Sequence, residues 1–205
     1  AGAQAPAPST APDLDERIVS TEVLHRGHYL ELRVETIERA DGSRAKREIV
    51  GHPGAVTILA LDAHDRVLLV RQWRTAAGRA LLELPAGTLD VAGDGTTEDP
   101  ERAARRELEE ETGYRAGSWR HLASFWTAPG FATELMHLYL ATDLEPAHAD
   151  RLGPDEDERL TLHPTPWQDA VRFVEQGEIA DAKSIVGLLW LSRLQGGSVP
   201  STNAR

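Results

Sequence analysis

The sequence predicts a mixed α/β (α+β) fold: a mixed central sheet flanked by helices, preceded by a small antiparallel sheet. Three observations predict it. Short apolar runs of strand length dominate the first half of the chain. Strands and helical segments then follow one another without a regular β-α-β alternation. Each helical segment carries its own start and stop residues. With 205 residues, the chain has room for one sizeable domain and a small appendage.

The elements follow in order. Residues 1–15 are rich in Ala and Pro, lack the basic and apolar parts of a signal peptide, and read as a flexible tail. Three β-like runs come next, at 16–27, 28–40 and 43–52, with Asp41-Gly42 as a hairpin turn. In the second run, Leu30, Leu32, Val34 and Thr36 share one side. A sheet this small is unstable alone, so residues 16–52 must pack on the rest of the chain or on another copy. The main domain is expected over 53–197, with 198–205 as a tail. Its strands are expected at 55–62, 66–73, 80–87, 119–128, 134–144 and 160–165. Helices are expected after Pro100, over 166–177 and over 181–197, the last two stopped by glycine.

Composition narrows the function. The net charge of -11 excludes sequence-independent nucleic-acid binding, which needs stripes of Lys and Arg. Small phosphorylated ligands remain open, held by local cations or a bound metal. There is no cysteine, hence no disulfide framework, thiolate zinc site or cysteine nucleophile, which fits a reducing cytoplasm. No apolar run approaches membrane-spanning length; residues 184–191 are too few.

The stretch 102–114, RAARRELEEETGY, carries the most chemistry. Asp99 suits an N-cap, Pro100 a first helical position and Gly113 a C-terminal stop. On a helical wheel, Ala103, Ala104 and Leu108 form the core-facing stripe, and Glu107, Glu110 and Glu111 lie on the same side. Arg102, Arg105 and Glu109 lie opposite, where a solvated face belongs. Carboxylates at a core edge need compensation. Arg106 can compensate one, and hard divalent cations can compensate the rest. The plainer alternative is a charged helix with Arg105–Glu109 and Arg106–Glu110 pairs.

These residues resemble the signature of the Nudix hydrolase family. Residues 106–114 match its second half at every fixed position, and Glu98 stands at the family's spacing before Arg106. The first half departs: Gly87 lies too far upstream of Glu98, which implies an enlarged loop. Such a resemblance implies an α/β/α sandwich and hydrolysis of a nucleoside diphosphate linked to another group, with Mg²⁺ or Mn²⁺. It implies Glu107, Glu111 and the Ala86 carbonyl as metal ligands, with Glu110 a ligand directly or through water. Arg106 would orient the glutamates.

Flanking residues resemble the ADP-ribose pyrophosphatase branch, closest to actinobacterial-type enzymes. LLELPAG precedes the box, TAPGFATE follows it, and Pro129 with Gly130 falls where that branch carries a marker proline. By this resemblance Arg74 grips the phosphates, Glu134 contacts the terminal ribose or a metal-bound water, and the acidic loop 153–159 carries the general base, Glu158 or Glu156. The N-terminal sheet would be a homodimerisation element. Adenine usually stacks on aromatic rings there, yet this sheet has no tryptophan, leaving Tyr29 and His28 as ring candidates; Arg47 and His52 could also line the site. Trp119, Trp126, Trp167 and Trp190 are expected in the core. The implied reaction releases AMP and ribose 5-phosphate from ADP-ribose. A GDP-sugar, dinucleotide or oxidised nucleotide is the alternative substrate, and a non-catalytic ligand sensor is a third reading that predicts eroded box acids. All of them are intact.

Overall fold

The computed structural model describes residues 14–147 and 159–196. Among them run, in order, β1 (Glu16–Arg26), β2 (Glu31–Arg39), β3 (Arg44–Gly51), β4 (Ala55–Ala60), β5 (Arg66–Arg74), β6 (Arg79–Glu83), β7 (Ala86–Thr88), α1 (Pro100–Thr112), β8 (Tyr114–Trp126), β9 (Leu135–Pro146), β10 (Leu160–Pro166), α2 (Trp167–Glu175) and α3 (Ala182–Leu194).

β4 is the centre of the body. Its six residues are all apolar or Thr, and all are buried. It pairs parallel with β9 and antiparallel with β7, and β8 completes a mixed sheet in the order β7-β4-β9-β8. Because a strand turns alternate side chains to opposite faces, β4 feeds two cores. Val56, Ile58 and Ala60 meet Ala103, Ala104 and Leu108 of α1, with Tyr139 of β9. Leu59 joins Leu84, Leu138, Leu188 and Leu191 in a cluster that includes Ala170 and Val171 of α2. A second antiparallel sheet, β10-β5-β6, adds Leu69 and Leu82 to that cluster.

One expected strand is two. The run 80–87 breaks at Leu84-Pro85, and β6 and β7 join different sheets. Pro85 has no N–H to continue a ladder. The backbone groups at the break find other partners: Leu84 N–H donates to Ser184 Oγ at 2.7 Å, and the Pro85 carbonyl accepts from Ile58 N–H at 2.8 Å. This change of sheet drops Ala86 and Gly87 beside α1.

The N-terminal strands form their own antiparallel sheet, β1-β2-β3, with the expected turn after Asp41. Its buried residues do not belong to the leucine row of β2. Glu35 and Ile37 are covered, whereas Leu32 is 39% exposed and Leu30 similarly so. The covered row is the one opposite the leucines, since a strand turns alternate side chains to opposite faces. The sheet joins the body at the end of β3, where Val50 and His52 bond to the 131–133 segment. Trp126 and Trp190 also depart from expectation: both are substantially exposed, one at the far end of β8 and one on the outer side of α3.

Candidate active site

α1 starts and stops as its sequence dictates. Asp99 caps it by accepting from Arg102 N–H, Pro100 opens it, and Gly113 ends it in the left-handed region at φ 71°. Its small apolar stripe lets it lie close against β4 and β7, and that closeness brings its acids to the strand end. The Glu111 carboxylate accepts from Ala86 N–H at 3.0 Å. The Glu107 carboxylate lies so near Gly87 that a Cβ there would stand 1.8 Å from Oε1. Glycine is therefore required by contact, since any side chain would push the carboxylate away.

Arg106 is the positive charge among the acids. It donates to Glu107 at 2.8 Å and to Glu110 at 2.9 Å through Nη1, and to Glu98 at 3.1 Å through Nη2. Burial alone would favour the neutral guanidine, but Glu98, Glu107 and Glu110 outweigh it, so Arg106 is held charged more firmly than an ordinary arginine. The enlarged loop does not displace Glu98. It folds back as a small hairpin, with Val91 bridged to Thr97 and Ala92 N–H paired with Thr96. Glu98 N–H then bonds the Asp90 carbonyl at 2.8 Å, which returns its side chain to Arg106.

Glu109 corrects the helical wheel. It is only 8% exposed, and Arg115 of β8 forks onto it at 2.6 and 2.7 Å. Arg105 pairs with Glu101 rather than Glu109, and its guanidinium lies 4.9 Å from the centre of the Trp119 ring. The wheel takes the side facing away from β4 as solvent; Arg102 and Arg105 there are exposed, but nearer the C-terminal end β8 brings Arg115 over Glu109.

Two adjoining cavities meet at Ala86–Thr88, Tyr29 and Arg74. One, of about 580 Å³, is lined by Arg106, Glu107, Glu110 and the 87–91 segment, with His28 at its rim. The other, of about 390 Å³, is lined by His52, Glu83, Thr127, Glu134 and the start of α3. Arg74 stands between them, forked onto Glu83. Glu134 accepts from the Thr127 hydroxyl at 2.5 Å and lies 3.7 Å from His52 Nε2. His52 Nδ1 accepts from Gly54 N–H at 3.0 Å, so Nε2 carries the proton and faces Glu134. Burial pushes the His52 pKa down, and the Glu134 charge only partly offsets this. The Tyr29 ring meets His52 edge-on at 5.7 Å.

The other expected residues are placed differently. Arg47 is paired with Glu16 of β1 and is not among the residues lining either cavity. Pro129 and Gly130 occupy a turn closed by Phe131 N–H on the Ala128 carbonyl, near the cavities but not in their walls. Glu156 and Glu158 lie outside the described residues. Sequence reasoning missed Glu83, Asp181 and Lys183, whose link spans a hundred positions of chain.

The box residues suit a hard divalent cation. The donors are carboxylate and backbone oxygens, and Gly87 leaves the space a Cβ would fill. Among the described residues, no three His, Asp or Glu side chains close on one point as they stand; the Arg106 guanidinium holds Glu107 and Glu110 instead.

Comparison with known proteins agrees with the geometry. Residues 51–186 match the NUDIX domain model, and residues 16–50 match that of the nucleoside diphosphate sugar hydrolase N-terminal domain. The chain is 39% identical to the ADP-ribose pyrophosphatase of Bacillus subtilis (strain 168), over 87% of this chain and 93% of that one. It is 40% identical to the ADP-ribose pyrophosphatase of Mycobacterium tuberculosis, over 85% of this chain and 82% of that one. A solved structure of an ADP compounds hydrolase superposes with a TM-score of 0.74, covering 88% of this chain and 95% of that one; at 24% identity it bears on the fold alone.

Proposed function

The chain belongs to the NUDIX domain family, and from that premise we propose that it hydrolyses the pyrophosphate bond of ADP-ribose to AMP and ribose 5-phosphate. One observation carries the reading: Glu107 and Glu111 converge on Ala86–Gly87 where two cavities of nucleotide scale meet. The similarity to two ADP-ribose pyrophosphatases over most of their length supports the choice of substrate.

Mg²⁺ or Mn²⁺, held by Glu107, Glu111 and the Ala86 carbonyl, with Glu110 directly or through water, would supply charge neutralisation at the pyrophosphate and a lowered pKa for the attacking water. The chain's own groups do the remainder. Arg106 orients Glu107 and Glu110. Arg74, between the cavities, offers Nη1 to a phosphate oxygen while Glu83 holds its other edge. Glu134, fixed by Thr127 and His52, faces the terminal ribose. Glu158 or Glu156 takes the proton of the attacking water. Water adds to phosphorus, the bridging P–O bond breaks, and the phosphate leaving group departs in line.

The N-terminal sheet dimerises. Its exposed Leu24, Leu30 and Leu32 need a cover, and a second copy would bring the same apolar surface against them. The enzyme works in the cytoplasm, in keeping with its lack of cysteine; no helix among the described residues is long and apolar enough to cross a membrane. A second reading, a GDP-sugar or other nucleoside diphosphate substrate, draws on the N-terminal sheet, where Tyr29 is the aromatic ring facing the cavities.

The test is a panel of ADP-ribose, ADP-glucose, GDP-mannose, NADH and diadenosine polyphosphates, with and without Mg²⁺. AMP release that needs Mg²⁺ and is fastest from ADP-ribose is the expected result. Faster turnover of GDP-mannose would move the assignment to the second reading, and saturable binding without turnover would overturn catalysis.

A further inference from the structure

Arg74 is one end of a four-residue ion network, and the far end has no role in the reaction as described above. Its centre is Glu83, which is 1% exposed. Arg74 forks onto it through Nε at 3.0 Å and Nη2 at 2.8 Å. Lys183 Nζ also donates to Glu83, and donates to Asp181 Oδ1 at 2.9 Å. Asp181 Oδ1 in turn caps α3 by accepting from Ser184 N–H at 3.1 Å. The Ser184 hydroxyl accepts from Leu84 N–H at 2.7 Å, so the first turn of α3 is pinned beside Glu83 in one register.

We propose that Lys183, held by Asp181, is a positioning residue that acts through Glu83 on Arg74. The inference rests on the reading of Arg74 as the phosphate-binding arginine. Two physical effects follow from the geometry. Lys183 fixes the Glu83 carboxylate, and the carboxylate fixes the plane of the guanidinium, so Nη1 points to the cavities before substrate arrives. Lys183 also shares the Glu83 charge. Without it, the whole charge of a buried carboxylate would fall on Arg74, drawing the guanidinium inward and weakening its field at the phosphates. Asp181 completes the balance of two cations and two anions. Its Oδ2 is buried without a hydrogen-bond partner, so its place is set by Lys183 and the helix cap and by no other contact of that oxygen.

The experiment is a double-mutant cycle on the full chain with ADP-ribose and Mg²⁺: wild type, Lys183→Met, Arg74→Ala and the double variant. Thermal melts check folding. Lys183→Met is expected to raise KM between about twofold and tenfold with kcat nearly unchanged, the range that freeing one long side chain implies. In the Arg74→Ala background the same change should have no further effect. Lys183→Arg should restore KM, and the Arg74 Nε–H order parameter measured by NMR should fall in Lys183→Met. If Lys183→Met does not fold, Asp181→Asn replaces it, because Asn keeps the helix cap while removing the charge beside Lys183. A folded Lys183 or Asp181 variant with wild-type KM overturns the proposal, as does a loss that adds in full to that of Arg74→Ala. An unchanged KM in Arg74→Ala itself overturns the phosphate-binding reading instead.

Discussion

β2 has three apolar residues in nine and β4 five in six, and the two strands end in opposite surroundings. All six residues of β4 are buried between two helix-backed cores. In β2 only Glu35 and Ile37 are buried, and β1 beside it is exposed along nearly its whole length. The charges differ in the same way. In the N-terminal sheet they form cross-strand surface pairs, such as Arg44 with Glu38 and Arg47 with Glu16. In the body, alongside surface pairs such as Arg105 with Glu101, some charges are set against residues of the candidate site: Glu83 holds Arg74, and Arg106 holds Glu107 and Glu110. Backbone pairing alone therefore makes a strand, but burial decides whether it is finished within one chain. The body is finished, whereas the N-terminal sheet has an apolar surface that a single chain leaves open.

The comparison can be broken or sharpened experimentally. The largest effect belongs to the body's carboxylates. Glu107→Gln should lower kcat by about a thousandfold or more while leaving the melting temperature unchanged or raised, since it relieves crowded charge. Gly87→Ala should cost activity by a smaller factor, about a hundredfold, because its Cβ displaces the Glu107 carboxylate; circular dichroism should show an intact fold. Next come the cores. Leu138→Ala should cost about 3 kcal/mol in urea unfolding, as for a fully buried leucine, whereas Leu32→Ala should cost less than about 1 kcal/mol within the monomer. Leu32→Arg should instead shift the light-scattering mass from dimer to monomer. If it leaves the mass unchanged, the exposed leucines are not the interface.

The smallest effect is a pH dependence. Burial would raise the Glu83 carboxyl, but Arg74 and Lys183 outweigh it and hold it below its ordinary value of 4.5. A carboxyl lowered in the folded state stabilises fully above its unfolded value, and that contribution is lost as pH falls through the folded one. Glu83→Gln should therefore melt lower than wild type near neutral pH, and the gap should close below pH 4.5. A gap that stays constant down to pH 3 would mean that Glu83 is not ionised in its network.

The parts of this protein that were legible in the sequence are those in which neighbours along the chain decide the outcome. The caps of α1, the turn after Asp41 and the stripe of Ala103, Ala104 and Leu108 depend on residues a few positions apart. The box acids were legible for the same reason, since a helix fixes which of its side chains share a face. What was not legible depends on contacts distant in sequence. Nothing near Glu109 announces that β8 will bring Arg115 over it. The break at Pro85 needs Ser184, a hundred residues on, to take the freed Leu84 N–H. The run 80–87 reads as one strand, and only the second sheet reveals that it serves two.

The hairpin at 91–97 has a practical use. Its two legs are bonded to each other, and its base returns Glu98 to Arg106 whatever the tip contains. Closing a longer tip costs only about 0.6 kcal/mol per doubling of length. An epitope or a small fluorescent reporter spliced between Gly93 and Asp94, both exposed, would sit at the mouth of the 580 Å³ cavity without touching a catalytic group. The natural enlargement of this segment thus offers a graft site, through which nucleotide arrival could be followed by light in the working enzyme.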